Sequence, residues 1–63
     1  MRDITANPEA GLGKVCRVYK DNGVRFLSRL MRIDDRYYYF ESKAGIEMIN
    51  YRETIRQIEI VEV

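Results

Sequence analysis

The side chains able to do chemistry in this chain are mostly aromatic rings and guanidinium groups. Tyr19 and Arg25 flank Asn22-Gly23, the rings Tyr37, Tyr38, Tyr39 and Phe40 follow one another, and Arg36 and Arg52 stand beside Asp35 and Glu53. Rings stack on nucleobases and guanidiniums pair with phosphates, so this set suits the binding of single-stranded nucleic acid better than the making of bonds. Reaction chemistry is poorly supplied. The 63 residues contain no histidine and one cysteine, no glycine-rich phosphate loop is visible, and Asp34-Asp35 falls where a turn is needed anyway. Neither a catalytic residue nor a metal ligand set nor a cofactor is expected.

The elements that must position these groups are short. Asn22-Gly23 sits between apolar runs and predicts a tight hairpin in which both residues take positive φ. Turn signals elsewhere divide the chain into expected strands over residues 14–20, 24–34, 36–42, 45–51 and 55–62. Breaks this short make sequential strands pair antiparallel. In the second strand Val24, Phe26, Ser28 and Leu30 alternate on one side, and then Met31 and Ile33 bring apolar groups to the other. That switch predicts a bulge or sharp bend between Ser28 and Met31, where one strand turns the corner of a small barrel. Residues 1–13 hold Pro8, Gly11 and Gly13 and predict a loose arm with at most one helical turn, Asn7 as its cap and Pro8 as its first residue.

One domain of this size buries only about 60% of the surface its unfolded chain exposes, so an outside source of stability is expected. Cys16 is the single cysteine, which excludes a disulfide, and its setting between Val15 and Val18 reads as a buried apolar position. Self-association is the remaining ordinary source. Eleven basic and ten acidic residues nearly cancel, so there is no overall excess of positive charge to drive non-specific binding to nucleic acid. No apolar run approaches the roughly 20 residues of a membrane span and the first residues lack a hydrophobic signal core, which reads as a soluble, cytoplasmic protein.

Two segments carry a family resemblance. Residues 18–34 read Val, Tyr, Lys, Asp, Asn, Gly, Val, Arg, Phe, Leu, Ser, Arg, Leu, Met, Arg, Ile, Asp, and residues 51–55 read Tyr, Arg, Glu, Thr, Ile. The first resembles the first Sm motif of the bacterial Hfq family of Sm-like (LSm) proteins, without a gap. The second resembles that family's Tyr-Lys-His-Ala-Ile motif. The resemblance covers residues 15–61 and implies an all-β fold: a five-stranded, strongly bent antiparallel barrel over residues 14–63, of the SH3-like kind, behind a short N-terminal arm or helical turn at residues 1–13. It also implies a homo-oligomeric ring of roughly five to seven subunits, the fourth strand of one pairing with the fifth of the next. The arm is too short and interrupted for the long N-terminal helix usual in the family.

The resemblance further implies two RNA surfaces. A hairpin face would use Tyr19, Gly23, Val24, Arg25 and Phe26: a ring to stack, backbone open to close approach, apolar contacts and a cation for phosphate. A pore face would use Arg36, Tyr37 and Arg52. There Glu53 stands where the family has histidine and Asp35 where the family is usually neutral, and carboxylates repeated around a ring repel phosphate. The pore face is therefore the weaker of the two. The blander readings are packing for Phe26, Val24 and most of the tyrosine run, and a solvated, salt-bridged face for Arg25, Arg29, Arg32 and Arg36. Two functions follow as expectations: a ring-forming RNA-binding protein that helps RNAs meet, or a homo-oligomeric structural or protein-interaction module that ignores RNA. A monomeric peptide-binding barrel with the tyrosines as its groove is a third.

Overall fold

A computed structural model describes residues 2–61. Among them the chain forms six strands: β1 (Arg2–Asp3), β2 (Val15–Lys20), β3 (Arg25–Ile33), β4 (Tyr37–Glu41), β5 (Glu47–Tyr51) and β6 (Ile55–Ile60). Two 3-10 turns complete it, Pro8–Gly11 before β2 and Arg52–Thr54 between β5 and β6. The strands make one antiparallel sheet in the order β1-β6-β2-β3-β4-β5. The expected strands are found within two residues of their expected ends, except that the last expected position of the fifth, residue 62, lies outside the described residues. A short sixth strand, β1, adds to the five. The sheet carries a bulge in β3 and is not closed, since β5 and β6 do not pair.

The bend has a local cause in β3. Its first half pairs with β2, from Tyr19↔Arg25 to Val15↔Arg29, and its second half pairs with β4. The register slips between Leu30↔Phe40 and Arg32↔Tyr39, so Met31 is the extra residue of a β-bulge and points outward, 48% exposed. Because of that slip Leu30 and Ile33 face the core side although they are three residues apart. This accounts for the change of apolar face along the strand.

The hairpin between β2 and β3 forms, with a different turn. Gly23 alone takes positive φ (87°), and no described non-glycine residue does. The Gly23 N–H donates to the Lys20 carbonyl at 3.1 Å and the Lys20 N–H to Val24 at 2.7 Å. The connection is thus a type I turn closed by a left-handed glycine, a common longer hairpin loop in which Asn22 need not be left-handed. Asn22 instead uses its side chain, its Oδ1 accepting the Val24 N–H at 3.0 Å.

Inward positions on four strands supply the core: Cys16 and Val18, Leu30, Tyr38 and Phe40, Ile58 and Ile60, joined by Ile4 from the arm. Phe40 is fully enclosed, with Phe26 set edge-on to it at 5.5 Å between centroids; burying such a ring is worth about 1.5–3 kcal/mol. The alternation of Tyr37 and Tyr39 outward with Tyr38 and Phe40 inward follows from the period of a strand.

The arm is not loose. Ile4 and Pro8 are buried, and the Ile4 N–H donates to the Ile58 carbonyl at 2.9 Å while the Ile58 N–H donates to Thr5 Oγ1 at 3.1 Å. Farther on, the Gly13 N–H donates to the Leu30 carbonyl and the Leu30 N–H to Lys14, which satisfies the backbone of β3 where its ladder with β2 has ended. Asn7 stands at the cap position of the 3-10 turn but its side chain makes no capping bond.

Candidate nucleic-acid interface

On the hairpin, strand alternation divides the five expected residues between two faces. Tyr19 and Arg25 are direct cross-strand neighbours on the outer face. The Tyr19 hydroxyl donates to Glu59 Oε1 at 2.8 Å on the next strand, which leaves its ring flank available but its polar end engaged. Phe26 faces the other way, half-buried against Phe40. Val24 is half-exposed at the loop, and Gly23 at its tip has open space where a Cβ would stand. The outer face of the hairpin therefore brings together Tyr19 and Arg25, and does not bring Phe26 to them.

The turn after β3 is more highly organised. Asp34 is its knot: Oδ1 accepts the N–H groups of Arg36 (3.0 Å) and Tyr37 (2.7 Å), and Oδ2 accepts the Tyr39 hydroxyl at 2.7 Å. These bonds, the one from Tyr39 first, hold its carboxyl well below the usual carboxylate range, at about 2. Arg32 lies over the Tyr39 ring at 4.2 Å and reaches Asp34 Oδ2 at 3.7 Å. The carboxylate of Asp34 is thus committed to shaping the turn. Its backbone carbonyl also accepts from Arg52 Nη1 at 2.8 Å, and the Arg52 N–H donates to the Arg36 carbonyl at 2.8 Å. The 3-10 turn after β5 is thereby docked on the turn after β3.

The three residues expected at this end, Arg36, Tyr37 and Arg52, are consequently neighbours. Between the two turns lies a recess of about 380 Å³ lined by Asp35, Arg36, Tyr51, Arg52 and Glu53. Tyr51 is its aromatic wall, and the ring of Tyr37, opposite Tyr51 in the β4–β5 register, lies 5.0 Å from the Tyr51 ring and is tilted by 36° to it. A hydrogen bond with Tyr51 and the nearness of that second phenol raise the Tyr37 hydroxyl above its ordinary range. Arg52 packs its guanidinium 5.1 Å from the ring of Tyr38 beneath. Tyr51 as a wall of this recess escapes sequence reasoning, although one signal exists: the odd-numbered positions of β4 and β5 share the outer face once their pairing is known.

The site can present the Tyr51 ring and the guanidiniums of Arg36 and Arg52 to a planar, anionic ligand, and it carries the carboxylates of Asp35 and Glu53. Among the described residues no group of three His, Cys, Asp or Glu side chains could hold a metal ion, and no helix is long and apolar enough to cross a membrane. No protein-family model, no curated protein and no solved structure matches this chain.

Proposed function

We propose that the chain is a Sm-like β-module that binds single-stranded RNA, with the recess between the turns after β3 and β5 as its main contact. The observation that carries this reading is the ring of Tyr51, packed on Tyr37 at 5.0 Å, beside Arg36 and Arg52 in one concavity. Bases stack on such rings at about 1–3 kcal/mol each, and the guanidiniums pair with the flanking phosphates. The strand order β6-β2-β3-β4-β5 with a bent β3 is consistent with a Sm-like barrel. The hairpin face, expected from the resemblance to be the stronger, offers Tyr19 and Arg25 as a second patch in which the tyrosine hydroxyl is already engaged by Glu59.

Several copies held together would multiply these modest contacts. The ring implied by the Sm-like resemblance would join β5 of one copy to β6 of the next, and it requires β1 to leave the outer edge of β6, where it pairs Arg2 with Ile60 and Asp3 with Glu59.

The test is fluorescence anisotropy with short oligo-adenylate and oligo-uridylate at low and physiological salt. Saturable binding is expected, weakened about tenfold or more by Tyr51→Ala or Arg36→Ala and less by Tyr19→Ala with Arg25→Ala. A double variant at the recess that binds as wild type overturns the site. The second reading, a homo-oligomeric interaction module, is favoured by Asp35 and Glu53 at the rim and by the near balance of charge. It predicts no RNA binding even at low salt.

A further inference from the structure

The two outer strands of the sheet differ in one respect: β6 has its outer edge covered and β5 does not. Along β6, Ile58 gives its N–H to Thr5 and takes that of Ile4, while Ile60 and Glu59 pair with β1. Along β5, no described residue pairs on the outer side. The strand has no proline, lysine or bulge to blunt it, and its register with β4 runs unbroken from Tyr37↔Tyr51 to Glu41↔Glu47. An edge of this kind is a template for another strand.

The ladder also says which groups are on offer. The Arg52 N–H bonds to the Arg36 carbonyl and the Ser42 N–H to the Ile46 carbonyl, at the two ends of the β4–β5 pairing. Alternation along an antiparallel pair then turns the backbone of Glu47, Ile49 and Tyr51 outward.

We propose that the β5 edge pairs antiparallel with β5 of a second copy, about a two-fold axis at Ile49, to form a dimer while β1 remains seated on β6. In this register Ile49 faces Ile49 and Glu47 of each copy faces Tyr51 of the other, so the three outward residues of each strand find partners in about six hydrogen bonds. A shift by two residues one way would set Glu47 against Glu53 of the second copy. A shift the other way would run the ladder off the strand into Gly45, which lies in the turn before β5 at φ 80°. Facing Tyr51 also offers a phenol to Glu47, which within its own chain is paired with another carboxylate, Glu41. On the outer face the half-exposed Ile49 side chains would cover each other. Such a dimer adds burial to a domain of this size, and it does not require RNA binding, although Tyr51 takes part in both.

Three measurements test it together. Native mass spectrometry and sedimentation of the full chain should give dimers that Ile49→Lys converts to monomers, weakening association at least tenfold while leaving the far-ultraviolet circular dichroism unchanged. Ile49→Cys should oxidise to a covalent dimer in higher yield than Val24→Cys, an equally exposed control away from the edge, because Cα atoms about 5.5 Å apart across the axis suit a disulfide. Amide exchange should slow with concentration at Glu47, Ile49 and Tyr51. A wild-type chain that stays monomeric at millimolar concentration overturns the proposal, as does a larger ring indifferent to Ile49→Lys or concentration-dependent protection that appears on β6 instead.

Discussion

The hydroxyl of Tyr39 donates to Oδ2 of Asp34 at 2.7 Å and ties the middle of β4 to the turn that leads into it. The same carboxylate caps the Arg36 and Tyr37 amides, so one side chain sets the position of the turn, of Arg36 and of the Tyr37 ring. A carboxyl lowered from 3.8 to about 2 binds its proton less readily folded than unfolded. Its contribution to stability is therefore fully present above about pH 4 and is lost as pH falls toward 2. Asp34 is partly solvated, its side chain 32% exposed, so the effect is modest in size. Tyr39→Phe is expected to move the Asp34 titration upward toward the ordinary carboxylate range, read by carboxyl-carbon NMR. Asp34→Asn should flatten the dependence of the unfolding midpoint on pH between 4 and 2, and an unchanged slope would show that other carboxylates govern acid unfolding.

Gly11 is present for space rather than for backbone freedom. A Cβ built there would stand 2.5 Å from Ile4 Cδ1 and 3.2 Å from Cys16 Sγ, both in the packed core. Overpacking of this kind costs about 1–3 kcal/mol. Gly11→Ala is expected to lower the urea midpoint accordingly, and the double variant Gly11→Ala with Ile4→Val should recover part of the loss, because it removes the methyl that the new Cβ meets.

Ser28 holds a buried hydroxyl, 3% exposed, with no hydrogen-bond partner among the described residues. It faces Cys16 across the β2–β3 pair, at the point where β3 starts to bend. Leaving such a group unsatisfied costs about 1–3 kcal/mol, so a substitution that removes only the oxygen relieves the penalty. Ser28→Ala is expected to be neutral or stabilising by about 1 kcal/mol in chemical denaturation. A clear loss of stability would mean that an ordered water completes the hydroxyl.

How far the fold could be read in advance depended on which physical signal each element carried. The strand alternation of Tyr37, Tyr38, Tyr39 and Phe40 and the apolar switch around Met31 are local patterns, and the inward Phe40 and the bulge at Met31 follow from them. Strand β1 has no such pattern. Two exposed residues, Arg2 and Asp3, alternate with nothing, and what makes them a strand is the tertiary seat of Ile4 beside Ile58. The turn at Asn22 differs from its expected geometry because Asn-Gly supports two loop lengths, and the longer one takes up Asp21 while Val24 pairs back to Lys20. The resemblance points to Arg36, Tyr37 and Arg52, of which Arg36 and Arg52 line the recess. The packing of its Tyr51 wall on Tyr37 needs the pairing Tyr37↔Tyr51, a fact of register between strands that single-strand periodicity does not contain.

The arm offers a last test, because it both fills the core and covers a strand edge. Ile4 is 3% exposed, and truncation of a buried isoleucine costs about 2–5 kcal/mol. Domains of this size have about 5 kcal/mol or less in total, so Ile4→Ala is expected to come close to unfolding the chain, whereas Ile4→Val should lose only about 0.5–1.5 kcal/mol. The milder variant is the useful one. The bond from the Ile4 N–H to Ile58 depends on the side chain only as an anchor, so loosening that anchor should quicken exchange at the amides of Ile4 and Ile58 before it affects Val18 or Phe40. Exchange that rises uniformly over β2, β4 and β6 would mean instead that the arm and the sheet open as a single unit, and that the edge of β6 is never bare in the folded chain.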